Sequence, residues 1–254
     1  MADAIVTTED GFLGGQLRLR QPKSGHRAGH DAILLAAATS AQDGHWVVDF
    51  GSGVGTAGLA LARRVSGVSL TLVEIDPQLA ELARENAVSN GVAADVVTLD
   101  IAASADVFAA AGLPQDSADA VLMNPPFNDP ARHRASPNKS REVAHVATED
   151  TLRTWIHAAR RVLKSGGALT LIWRADGLAD VLAALGRGFG SIAIMPVHGD
   201  AAAPAIRVLV RAVKGGRAPA AIEPGIFLRD ANGAPDLHIR QVLAGQAVLP
   251  WSSL

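Results

Sequence analysis

Asn124-Pro125-Pro126-Phe127 is the stretch whose residue types most directly suggest chemistry. An Asn side-chain oxygen and the next backbone carbonyl can together accept both hydrogens of a planar NH2 group. An aromatic ring beside them can stack on the flat system that carries that group. Two successive prolines cannot donate to a sheet ladder, and each pushes the residue before it into extended backbone. The apolar run Ala118 to Met123 ahead of them reads as a buried strand, so the elbow stands at that strand's carboxyl end. Asn124, Pro125, Pro126 and Phe127 are the candidate catalytic group. Taken alone, the tetrapeptide reads first as a strand-ending turn.

A second group lies earlier. Trp46-Val47-Val48-Asp49-Phe50 reads as a buried strand and runs into Gly51-Ser52-Gly53-Val54-Gly55 and a helical run from Leu59 to Arg64. Strand, glycine-rich turn and helix form the usual opening of a nucleotide-cofactor site. No Lys-Ser/Thr follows, and the spacing is not that of dinucleotide binders. An acid at Asp49 would repel a pyrophosphate and welcome a cation; S-adenosylmethionine, with an ammonium, a sulfonium and no phosphate, is such a cofactor. A tight turn needing glycine for geometry alone has the same pattern. The next strand, Ser69 to Asp76, carries Glu74 and Ile75, a carboxylate able to accept from both ribose hydroxyls and an apolar neighbour. A third strand, Asp95 to Leu99, leads into Asp100-Ile101, suited to an adenine amine and its face. Asp76 and Asp100 read equally well as helix caps. The candidate cofactor set is therefore Asp49, Gly51, Ser52, Gly53, Gly55, Glu74, Ile75, Asp100, Ile101 and Asn124. Ligands of open parallel sheets bind beyond the carboxyl ends of the strands, and polar residues recur there on four successive strands.

These residues need a frame. Alternating segments with turn signals over residues 5–22 predict a β-hairpin. Asp31 is placed to cap an apolar helix from Ala32 to Ala38. Residues 128–146 are polar and turn-rich and read as a long loop, with a helix from Thr151 to Lys164 after it. A strand from Ala168 to Trp173, a helix from Leu178 to Leu185 and two strands, 191–197 and 205–212, follow, the last two as an antiparallel pair at the sheet edge. The tail holds a short helix from Asp236 to Ala244. Trp173 and His198 read as core or rim. The organisation expected is a substrate-side extension over 1–45, a core over 46–215 and a tail over 216–254 packed on it.

Composition narrows the function. With 254 residues, 48% of them apolar, the chain can build a substantial core. A net charge of −2 announces no global field for nucleic acid, so such a role needs local patches. Cysteine is absent, which removes disulfides and thiolate metal sites and suits a cytoplasmic protein. No amino-terminal leader and no bilayer-length apolar run is read; neither a membrane nor a metal is expected, and the oligomeric state stays open. Arg132, Arg134, Lys139 and Arg141 beside the elbow, with Arg27 further back, suit a phosphate backbone, or an ordinary solvated loop.

Together, Asp49-x-Gly51-x-Gly53-x-Gly55, Glu74, Asp100 and Asn124-Pro125-Pro126-Phe127 resemble the amino-methylating branch of class I S-adenosylmethionine-dependent methyltransferases. Gly14-Gly15-Gln16-Leu17, Gln21-Pro22-Lys23-Ser24-Gly25-His26-Arg27, Gly29-His30-Asp31-Ala32-Ile33-Leu34-Leu35 and Arg141-Glu142-Val143-Ala144-His145 are similar to the bacterial tRNA1(Val) adenine-N6 methyltransferase family. The resemblance covers most of residues 10–215. It implies an α/β fold with a Rossmann-like seven-stranded, mostly parallel sheet, an antiparallel edge strand and helices on both faces. It further implies S-adenosylmethionine as cofactor and RNA, tRNA in particular, as partner, with Arg27, Asp31, Arg132, Arg134, Lys139 and Arg141 on the substrate side. Many relatives carry Tyr where this chain, which has no tyrosine, has Phe127. The same acceptor pair would also suit guanine N2 of ribosomal RNA or a glutamine amide. A cofactor- or RNA-binding module without catalysis and a nicotinamide dehydrogenase are the remaining alternatives.

Overall fold

The structure is a computed structural model that describes residues 6–24, 27–126, 139–230, 232–249 and 251, the side chains of 139–149 lying outside that description. The chain opens with an antiparallel hairpin, β1 (Thr7–Phe12) and β2 (Leu17–Pro22), followed by α1 (His30–Ala38). Then strands and helices alternate: β3 (Trp46–Phe50), α2 (Thr56–Arg64), β4 (Ser69–Glu74), α3 (Pro77–Ser89), β5 (Ala94–Thr98), α4 (Ala105–Ala110) and β6 (Ala118–Met123). The second half runs α5 (Lys139–Val162), β7 (Leu163–Arg174), α6 (Leu178–Leu185), β8 (Phe189–His198) and β9 (Ala205–Lys214). Two short strands, β10 (Ala221–Ile222) and β11 (Ile226–Phe227), and α7 (Leu237–Leu243) complete it.

Seven long strands lie in the order β5-β4-β3-β6-β7-β9-β8, and β10 and β11 pair with β8 at the edge. All pair in parallel except β9, which runs antiparallel to both β7 and β8. This is the Rossmann-like, mostly parallel sheet that the resemblance implies, with the antiparallel strand one place in from the β8 edge rather than at it. The strand order reverses between β3 and β6, the kind of switch point where open sheets bind ligands.

The strands alternate between two cores, as a period of two requires. Val47, Leu70, Leu72, Ala120 and Leu122 face α1, α2, the hairpin and the tail. Val48, Phe50, Val73, Val121 and Met123 face the layer of α4, α5 and α6. Asp49 falls on the first face, where Gly58 of α2 comes close enough that a Cβ there would meet Leu72 Cδ2 at 2.5 Å.

Several boundaries differ from the sequence reading, among them the end of α5, at Val162 rather than Lys164, and the start of β7, at Leu163 rather than Ala168. The predicted loop over 128–146 ends early, because α5 begins at Lys139 rather than near Thr151. From Lys139 to Asp150 the chain contains neither Gly nor Pro, so a polar composition there is compatible with a solvated helix. Asp31 is not the cap of α1: Gly29 takes that place and Asp31 sits in the first turn, its carboxylate bound to Arg207 Nε at 3.0 Å.

Candidate active site

Register brings the candidate residues to one edge. Phe50 pairs with Met123 on β6 and with Val73 on β4, so Gly51, Asn124 and Glu74 follow side by side on three adjacent strands. Glu74 pairs with Thr98 on β5, which carries Asp100 and Ile101 to the same end.

Two acids brace the glycine turn and the helix that follows it. Glu74, 7% exposed, accepts from Gly53 N at 2.8 Å and from Asp76 N at 3.0 Å. Asp49, 2% exposed, accepts from Gly58 N at 2.8 Å. Burial pushes the Asp49 carboxyl up to about 7; the Gly58 amide pulls the other way, and nearby Glu74 adds to the rise. Gly53 has φ +56, and a Cβ there would meet nothing within 4 Å: its backbone borders open space. Ile75, 61% exposed, continues that open side past Glu74. Ser52 Oγ is buried without a hydrogen-bond partner among the described residues.

On the other side of the turn, Asn124 is half-buried and its Oδ1 is fully enclosed with no hydrogen-bond partner among the described residues. A buried acceptor left unmatched costs about 1–3 kcal/mol, and native proteins keep such atoms rarely, often at functional sites. Pro125 is buried and Pro126 exposed.

The remaining candidates divide. Asp76 is the N-cap of α3, accepting from Gln78 N and Leu79 N. Asp100 faces solvent and accepts from Ala102 N, while Ile101 beside it is 5% exposed. Arg27 is bound within the hairpin region, to Thr8 Oγ1, to the Pro22 carbonyl and to Asp10. Phe127, Arg132 and Arg134 lie outside the described residues; Lys139 and Arg141 are in the first turns of α5, their side chains undescribed.

Two residues near the site carry no mark in the sequence. Asn86, fully buried on α3, donates to the Val54 carbonyl of the glycine turn at 3.0 Å. Trp155 of α5 lies against Gly51. Each sits at helical spacing among apolar neighbours, where periodicity reads only core.

The family model of the methyltransferase small domain matches residues 28–200, more than half of the chain. The chain belongs to the methyltransferase small domain family. As a methyltransferase it is 29% identical over 207 residues to an Erwinia tasmaniensis protein named tRNA1(Val) (adenine(37)-N6)-methyltransferase, covering 81% of this chain and 82% of that one. It is 28% identical to a Chlorobaculum tepidum release factor glutamine methyltransferase, over 64% of this chain and 56% of that one. A crystal structure of a predicted O-methyltransferase from Agrobacterium tumefaciens superposes with a TM-score of 0.74 at 28% identity, over 88% of this methyltransferase and 100% of that chain.

The edge just described fits the cofactor of such enzymes: a buried acid for a cation, a second acid for a diol, and an exposed aliphatic for a flat apolar ring. Among the described residues no cluster of His, Cys, Asp or Glu that could hold a metal is found, and no helix is long and apolar enough to cross a membrane.

Proposed function

We propose that this methyltransferase acts on an exocyclic amine of a nucleobase in RNA, with adenine N6 in tRNA as the acceptor. The observation that carries the reading is the enclosed, unmatched Oδ1 of Asn124 beside the glycine turn, on a residue followed by two prolines. When bound, S-adenosylmethionine would supply an activated methyl group on a sulfonium. Asp49 would face its cationic end, Glu74 the ribose hydroxyls, and Ile75 the adenine.

The lone pair of an aromatic amine is delocalised into its ring, so the amine is a weak nucleophile. Asn124 Oδ1 and the Pro125 carbonyl would take its two hydrogens, favour the pyramidal nitrogen and aim the lone pair at the methyl. As positive charge grows on nitrogen those fixed dipoles stabilise it, an effect of about 3 kcal/mol for one oriented group. Phe127 would stack on the base, for about 1–3 kcal/mol. A base in folded RNA must first leave its stack.

Two names among the relatives suggest other acceptors. A hydroxyl has one hydrogen to give, and a paired acceptor suits an NH2 group better. An amide NH2 would fit equally; what favours RNA is the run of relatives named for tRNA, one of them matched over four fifths of its length.

The test is incubation of the enzyme with labelled S-adenosylmethionine and total bacterial tRNA, followed by nucleoside analysis. N6-methyladenosine is expected. Asn124→Ala should lower turnover at least about 100-fold and leave cofactor affinity within about threefold. Label appearing on guanine N2 or in a protein glutamine would replace the acceptor named here; normal turnover of the variant would remove Asn124 from the chemistry.

A further inference from the structure

The first glycine of the turn has a neighbour that the cofactor motif does not explain. Gly51 holds φ +65, and a Cβ built on it would lie 2.2 Å from Cη2 and 2.7 Å from Cζ3 of Trp155. The indole thus rests edge-on against the Gly51 backbone. It reaches there from α5, where Leu152 and Ile156 on either side are 0% and 2% exposed. Trp155 itself stays partly exposed, unlike those core neighbours. The core therefore leaves part of the indole uncovered.

The place of the indole along the crevice follows from register. Glu74 and Ile75 lie to one side of Gly51, and Asn124 lies to the other. If adenosine occupies the Glu74–Ile75 side, the methyl-bearing end falls over Gly51 toward Asn124, next to the indole. On the basis of the cofactor reading above, we infer that Trp155 walls this end of the crevice and holds the sulfonium by its ring face, so that the site separates the charged donor from its neutral thioether product. A Trp face is the best aromatic partner for a cation, and the attraction is lost when the charge is lost. As the S–CH3 bond breaks and the N–CH3 bond forms, the bonding pair returns to sulfur and the charge passes to nitrogen, which then loses a proton to water. The indole then no longer binds the spent cofactor through charge, which favours its release.

The experiment measures dissociation constants of S-adenosylmethionine and S-adenosylhomocysteine by calorimetry for wild type, Trp155→Phe and Trp155→Leu. It is repeated with mono- to tetrafluorinated tryptophan placed at position 155 alone. Trp155→Leu should weaken the methionine form by about 2- to 30-fold, the range of cation–π attraction, and the homocysteine form by much less, with Phe between. Fluorination withdraws charge from the ring face with little change of shape, so affinity for the sulfonium should fall stepwise with each fluorine while that for the thioether stays level. Equal losses for both ligands would reduce Trp155 to packing and overturn the inference. Unchanged affinities with a raised KM for tRNA would assign the ring to the base and overturn it too. If wild type binds neither ligand, the cofactor reading itself falls; if it binds both and the fluorine series is flat, only the role of Trp155 falls.

Discussion

Asp49 sits in a conflict that its position creates. It is buried on the α2 face with one backbone donor, and burial lifts its carboxyl to about 7 from an ordinary 3.8. A group whose folded-state pKa is raised contributes stability that is fully present below pH about 4 and is lost as pH rises through about 7. The free protein should therefore melt at a lower temperature at pH 8 than at pH 5 through this group. Asp49→Asn keeps an oxygen for the Gly58 amide and removes the charge. It should flatten that part of the pH dependence, raise the melting temperature at pH 8 by a few degrees, and weaken binding of S-adenosylmethionine at least about tenfold. A cation bound beside Asp49 favours the carboxylate, so cofactor binding near pH 6.5 should release up to one proton and near pH 9 almost none. Calorimetry in buffers of different ionisation enthalpy measures this release. Proton uptake, or none at either pH, would separate Asp49 from the cationic end of the ligand.

At the scale of elements, the hairpin is joined to the core through two amides one helical turn apart. Asn86 Oδ1 accepts from Arg20 N at 2.8 Å and its Nδ2 donates to Arg20 O at 3.1 Å; Asn90 does the same for Arg18, at 2.9 and 2.7 Å. Helix α3 thus offers β2 a row of donors and acceptors as a neighbouring strand would, and the bond from Asn86 to Val54 carries the connection into the glycine turn. Asn86→Ala would leave three backbone groups unmatched, that of Val54 buried and those of Arg20 partly so, and should cost about 2–4 kcal/mol in urea unfolding. Asn90→Ala, at a more exposed position, should cost about 1 kcal/mol. Equal and negligible losses would mean that the hairpin is held by its leucines alone. Spacing from Leu82 and Ala83 suits an inward-facing Asn86 on α3, and Asn90-Gly91 suits the end of that helix. Neither could reveal the partner, because Arg18 and Arg20 lie 72 and 66 residues away in the chain. The sequence reading starts α5 too late for a related reason: polar residues there read as loop, whereas only Gly and Pro bar a helix.

At the scale of the molecule, the tail closes the core on the hairpin side. Ile239, Val242 and Leu249 are 2%, 1% and 3% exposed within that core. Trp251 Nε1 bonds the Ala38 carbonyl, and Gln16 Nε2 reaches the Ala244 carbonyl. Each such apolar side chain contributes about 1.5–3 kcal/mol, and a domain's net stability is about 5–15 kcal/mol. Removing residues 222–254 should therefore abolish cooperative unfolding in near-ultraviolet circular dichroism, and Leu249→Ala should cost about 2–5 kcal/mol. A truncated protein that still melts in one sharp step would show the tail to be dispensable.

By itself the sequence determined most of the strands and of the helices that alternate with them, and the pattern of acids, glycines and proline-stiffened amide at the strand ends. Those features are local: period-two burial, glycine where φ is positive, and proline where a ladder must stop are legible within a few residues. Only the tertiary structure decided that β6 lies beside β3, that Asn86 bonds a hairpin far from it in the chain, and that Trp155 rests on Gly51. Those are contacts between distant segments, set by strand order and helix docking, and no local pattern of residue types encodes which pair of surfaces will meet.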